Sequence, residues 1–151
     1  MKNLINKIKK IIYKELNLIR DIPIFYGTKP LKSSPDAWAV FCHTHIKIMH
    51  NKYTKIKYPI KVGYPGIKNT NVTLKNKKEM LLLVIAHELR HYWQMNLLNS
   101  KKILKCRNYN MKEFNKNYIK NYNASKKDVN LEYDAERFSI KILRKYRGTL
   151  K

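Results

Sequence analysis

The chain has 151 residues, 44% of them hydrophobic, and carries 33 Lys and Arg against 10 Asp and Glu, a formal net charge of +23. That length and apolar content suit one compact domain with its own core, and no apolar run is long enough to cross a membrane. Cys42 and Cys106 stand far apart in no CxxC motif, which excludes a disulfide scaffold or a zinc ribbon and fits a reducing compartment. The opening "MKNLINKIKKIIYKELNLIR" lacks the unbroken apolar core and small-residue cleavage site of a signal peptide, so the expected location is the cytoplasm. The charge would draw nucleic acid, an anionic membrane or an acidic protein. Yet Lys outnumbers Arg by 27 to 6 and the chain is rich in Asn, Ile and Tyr, as an AT-rich genome encodes, whereas phosphate-binding surfaces favour the planar fork of Arg.

From residue 3 to 20, Leu4, Ile5, Ile8, Ile12, Leu16 and Ile19 recur at helical spacing among Lys2, Lys7, Lys9, Lys10 and Lys14. This predicts a basic amphipathic helix over 1–20 whose apolar stripe covers the domain core rather than lying on a membrane. Pro23, Gly27, Pro30 and Pro35 mark residues 22–35 as loop and turns. "AWAVFCHTHIKIMH" and "KYTKIKYPIKVGY" then read as two strands, and "TNVTL" as a short third. On the first of these, His43 and His45 alternate and so share a face, as a solvent-facing pair of an edge strand or as part of a second metal site.

A long helix begins at Asn76, an N-cap, with Glu79 three residues on to reach back as in a capping box. Residues Met80 to Ala86 are apolar on every side, which predicts a central, buried helix ending near Asn99-Ser100. Residues 101–127 form a basic, aromatic insertion. A last helix is predicted after Ser125 as N-cap, with Asp128 in its first turn and Gly148 just past its end. No repeat and no long linker divides the chain, so 1–151 is expected to be a single domain.

The chemistry-bearing stretch is "LLLVIAHELRHYWQ". His87 and His91 lie four apart, about 40° on a helix at roughly 100° per residue, so both can grip one ion, with zinc the usual choice. Glu88 projects beside them, placed to take a proton from water rather than to ligate. A catalytic site of this type needs one further protein ligand. Three of the few acids cluster in "NLEYDAERFSIKIL" on the last helix, whose apolar face is Leu131, Ala135, Phe138, Ile142 and Tyr146. Glu132 lies about 60° from Ala135 and can point inward, whereas Asp134 and Glu136 lie about 100° to either side and are expected to be more exposed. Glu132 is therefore the expected third ligand, and Asp134 or Glu136 the group that hydrogen-bonds a ligating histidine from behind. Arg90 is expected to pair with Asp134 or to bind a substrate carboxylate. Tyr109, Tyr118 or Tyr122 is the candidate to stabilise a developing oxyanion.

His87-Glu88-Leu89-Arg90-His91, followed some forty residues later by Glu132-Tyr133-Asp134-Ala135-Glu136-Arg137-Phe138, resembles zinc metallopeptidases of the gluzincin type. In these, HExxH is followed by a helix carrying a glutamate ligand, with an alanine three residues further on. The small ImmA/IrrE-like and SprT-like groups and their phage and mobile-element relatives are the most similar in size. The likeness covers 81–94 and 131–143. It implies an α+β, zincin-like fold, a small antiparallel or mixed sheet on the HExxH helix with the ligand helix C-terminal, and one zinc per chain. It also implies hydrolysis of a peptide bond in a protein or peptide substrate; by strand addition, an extended substrate is expected to lie along an edge strand over 40–48. The chain lacks the zinc ribbon of many SprT-like proteins and the helix-turn-helix of many ImmA-like ones, and has Glu136 where related families often have Asp. Two other expectations compete. One is a basic nucleic-acid-binding protein with a structural or vestigial metal site, stacking bases on Tyr109, Phe114, Tyr118 and Tyr122. The other is a phage or mobile-element protein that binds a host factor through an old peptidase fold.

Overall fold

A computed structural model describes residues 1–29, 32, 37–49, 55–63, 71–100 and 131–150. Helix α1 spans Lys2–Leu16 and buries Ile5, Ile8, Ile12 and Leu16, spaced three or four residues apart on one face. It ends in a left-handed Asn17 (φ 50°), a conformation Asn tolerates better than most residues with a side chain. The Asn17 N–H donates to the Lys14 carbonyl and the Leu18 N–H to the Tyr13 carbonyl, the paired bonds of a Schellman ending. The stripe therefore stops at Leu16, and Ile19, expected to extend it, is 96% exposed beyond the cap. The apolar face of α1 packs on the protein core, as its pattern predicts.

Strand β1 (Ile24–Tyr26) lies in a segment expected to be all loop. It pairs in parallel with β3 (His45–Ile48), which pairs antiparallel with β2 (Ala39–Cys42), giving the order β1-β3-β2. The stretch read as one strand over 37–50 is thus a hairpin. Cys42 pairs with His45, leaving His43 and Thr44 as a two-residue turn. His43 takes a positive φ of 38°, the role that Gly or Asn usually plays in such turns. Thr44 Oγ1 bonds back to the Cys42 carbonyl. Since the strand ends at Cys42, His43 and His45 do not share a strand face. His43 is exposed in the turn, and His45 Nδ1 meets Thr44 Oγ1 at 2.9 Å while its ring packs edge-on against Phe25.

Of the second expected strand, β4 occupies Ile60–Val62, after a cis Tyr58-Pro59 bond. The third, β5 (Val72–Leu74), is present and pairs antiparallel with β4, Ile60 opposite Leu74 and Val62 opposite Val72.

Helix α2 (Lys77–Ser100) opens as predicted, with the Glu79 N–H donating to Asn76 Oδ1 at 3.1 Å. The return bond reaches one residue further back than a capping box requires: Glu79 Oε2 accepts from the Lys75 N–H at 2.8 Å and from Arg147 at 3.2 Å. Met80 to Ala86 and Leu89 are all buried, so α2 is the central element of the core. Helix α3 (Leu131–Tyr146) makes the most extensive helix packing with it. The ends of α1 and α3 are tied by Glu15, which accepts from Lys145 Nζ at 2.8 Å and from the Tyr146 hydroxyl. Ser125, Asp128, the 101–127 insertion with Tyr109, Phe114, Tyr118 and Tyr122, and Cys106 lie outside the described residues. The architecture is α+β, small sheets and a central helix with the last helix laid beside it.

Candidate metal centre

Two helices build the site. His87 and His91, one turn apart on α2, present their Nε2 atoms to the same point, 3.1 Å from each other. Glu132, in the first turn of α3, spans the pair: Oε2 lies 3.2 Å from His87 Nε2 and Oε1 3.3 Å from His91 Nε2. Among the described residues this is the one group of three or more His, Cys, Asp or Glu whose ligand atoms converge closely enough to hold an ion. Tetrahedral ligands at zinc distances of about 2.0 Å stand about 3.3 Å from one another, close to the separation of the two Nε2 atoms and to the distance of each from one Glu132 oxygen.

The chemistry of the donors fits as well as their spacing. Gln94 donates its amide Nε2 to the Leu131 carbonyl at 3.2 Å and to Asp134 Oδ2 at 2.8 Å, both pure acceptors. Its Oε1 must therefore face His91 Nδ1, 2.9 Å away, and can only accept. His91 consequently carries its proton on Nδ1 and turns a lone pair on Nε2 to the centre. His87 Nδ1 lies 3.4 Å from Glu136 Oε2, which can accept its proton, so that loss of the Nε2 proton would leave a lone pair facing the same point. The protonated His87 holds the three groups together in the metal-free chain, and a cation taking that proton's place would meet two imidazole nitrogens and a carboxylate.

The local field agrees. Four of the chain's ten acids, Glu88, Glu132, Asp134 and Glu136, gather here in a strongly basic protein. Burial disfavours the His87 imidazolium, but the carboxylates of Glu132, Glu136 and Glu88 outweigh it and push its pKa up to about 10. The imidazoles of His87 and His91 hold the Glu132 carboxyl well below the ordinary range.

Glu88 stands outside the triangle, 7% exposed. Its burial raises the carboxyl pKa, and the two imidazoles and a hydrogen bond from the Phe41 N–H pull it back. Phe41 belongs to β2, at an edge of the sheet, opposite Ile46, whose N–H bonds the Pro23 carbonyl, so the Phe41 N–H points away from β3. Beside Glu88 opens a cavity of about 520 Å³ walled by Trp38, Ala39, Ile60, Val62, Leu83 and Val84.

The sequence-predicted residues divide as follows. His87, His91 and Glu132 come together, and Glu88 lies beside them. Asp134 takes a two-pronged bond from Arg90, Nε at 2.6 Å and Nη2 at 3.1 Å, the structural pairing expected for Arg90. Asp134 meets Gln94 rather than a histidine. Asp134 and Glu136, expected to be more exposed than Glu132, are less so, with side chains 27% and 11% exposed against 43%, and Glu136 faces His87. The helical wheel erred because it defined the buried face by apolar residues alone, while the polar flank of α3 is covered by α2. Gln94 escaped sequence reasoning altogether. Its one available signal was spacing: three residues past His91, on the same helical face.

No known protein family, curated protein or solved structure matches the chain.

Proposed function

We propose that the protein is a zinc-dependent metallopeptidase. The observation that carries the proposal is the triangle of His87, His91 and Glu132, whose ligand atoms converge from two separate helices. A zinc ion held there would supply Lewis acidity, polarising a carbonyl and making water acidic near neutrality.

The chain's own residues account for the rest of the reaction. Glu88, excluded from the triangle, is the proton carrier. It takes a proton from the attacking water and delivers it to the departing amine as the peptide bond breaks. Burial favours this shuttle, since it raises the carboxyl pKa toward the range where the group both accepts and donates. Peptide groups alternate along a strand, so Ala39, two residues before Phe41, offers its N–H and C=O to the same edge, and an extended substrate laid along β2 would meet both. This narrows the expected substrate edge from 40–48 to β2 itself, because β3 is paired on both sides. The apolar cavity next to Glu88 and His87 would receive a bulky apolar side chain beside the cleaved bond.

The test is Glu88→Gln, assayed on a library of unfolded peptides. The proposal expects hydrolysis to fall by about 10² to 10⁴-fold, the range for a positioned acid-base group, with bound zinc unchanged. A Glu88→Gln protein that cleaves at the wild-type rate contradicts it.

A further inference from the structure

We infer that Gln94 is a positioning residue that sets two metal ligands at once, an inference that rests on reading His87, His91 and Glu132 as a metal centre. Gln94 is 1% exposed, so its amide has no water to fall back on, and all its partners are protein groups. The first of its two actions is on His91. The amide oxygen accepts from Nδ1 at 2.9 Å, which fixes the imidazole tautomer and leaves Nε2 free to ligate. Were the amide turned over, its NH2 would face Nδ1, the proton would move to Nε2, and that N–H would point into the ion's place.

What prevents the turn is the second action. The amide nitrogen is claimed by the Leu131 carbonyl at 3.2 Å and Asp134 Oδ2 at 2.8 Å, and neither can donate in return. Leu131 immediately precedes Glu132. The same amide that orients His91 on α2 therefore clips the start of α3 where the carboxylate ligand emerges. Asp134 is itself held by the Arg90 fork, and the Arg90 guanidinium lies 3.8 Å over the Trp93 ring and 5.1 Å from that of Phe138. The chain of constraint runs from a stacked, ion-paired arginine through a carboxylate to an amide and ends on a ligand ring. A buried glutamine three residues past HExxH that served packing alone would need none of this directionality.

The experiment compares wild type, Gln94→Leu and Gln94→Glu. Zinc affinity is read by competition with a chromophoric chelator, and the His91 ring protons by nitrogen–proton correlation spectra. Gln94→Leu should weaken zinc by about 10 to 100-fold, the usual effect of losing a group behind a ligating histidine, and should scramble the His91 tautomer in the metal-free protein. Gln94→Glu keeps an acceptor for Nδ1–H and, with a proton on its other oxygen, a donor to Asp134, so it should retain that proton signal and bind zinc more tightly than Gln94→Leu. Equal affinities in wild type and Gln94→Leu overturn the inference. If Gln94→Leu fails to fold, loss of the Nδ1–H signal in folded Gln94→Glu overturns it instead, and its retention supports it. Failure of the wild type to bind zinc removes the metal centre itself, whereas wild-type binding with an indifferent Gln94→Leu removes only the role of Gln94.

Discussion

Glu88 and Glu132 stand beside the same two imidazoles, and their surroundings give them opposite character. Glu132, half-exposed at the mouth of the site, has both imidazoles in contact and is held ionised, as a ligand must be. Glu88 is buried without such contact and its carboxyl is easier to protonate, which suits the proton-carrying role proposed for it. The contrast predicts that exchanging their fates fails: Glu132→Gln should lose metal, while Glu88→Gln should keep it. His87 adds a pH dependence. Its pKa is raised in the folded protein to about 10, above the ordinary 6.5, so in the metal-free state its proton stabilises the fold fully below about pH 6.5. That contribution is lost as pH rises from 6.5 through 10. A zinc ion ligated by His87 would displace the same proton, so its affinity should tighten by up to about tenfold per pH unit across pH 7 to 9. Thermal melts with and without zinc should therefore diverge as pH rises. Parallel melting curves would show that His87 does not exchange a proton for the ion.

The elements differ in how openly the sequence announces them, for local reasons. Helix α2 was legible because its cap, Asn76, and its all-round apolar turn act within the helix itself. Asn76→Ala should cost about 1 kcal/mol, read as a shift in the denaturant midpoint, since Asn76 Oδ1 satisfies an otherwise free N–H of the first turn. The apolar face of α1 was legible too, and Ile12→Ala, at a fully buried site, should cost about 2 to 5 kcal/mol by the same measurement. A change near zero would mean that α1 does not pack as described. The β2–β3 hairpin was hidden because His43, not Gly or Asn, adopts the positive φ of its turn, so the run read as one strand. β1 was hidden because three residues between turn signals carry no period, and only pairing with β3 makes them a strand. At the site, HExxH and Glu132 were legible from spacing within single helices. Glu136 and Gln94 were not, because what they touch is decided by how α2 and α3 lie against each other.

At the scale of the whole molecule, the charge and the site pull in different directions. A net charge of +23 predicts adsorption to nucleic acid that is indifferent to sequence and steep in salt. If about six phosphates are neutralised, affinity should fall by about 10³-fold between 50 and 200 mM salt, read by fluorescence anisotropy on unrelated oligonucleotides. Strong preference for one sequence, holding at high salt, would point instead to direct recognition of bases. Against this cationic background the acids are concentrated around the paired histidines, where a solvated surface would have no use for them. No helix among the described residues is long and apolar enough to cross a membrane. The account therefore turns on an ion. The most direct measurement is metal content per chain in purified wild type, His87→Ala and Glu132→Ala. One tightly held zinc in the wild type, lost from both variants, is the predicted result. A wild type that holds none, or a Glu132→Ala protein that keeps its zinc, contradicts the two-helix metal centre.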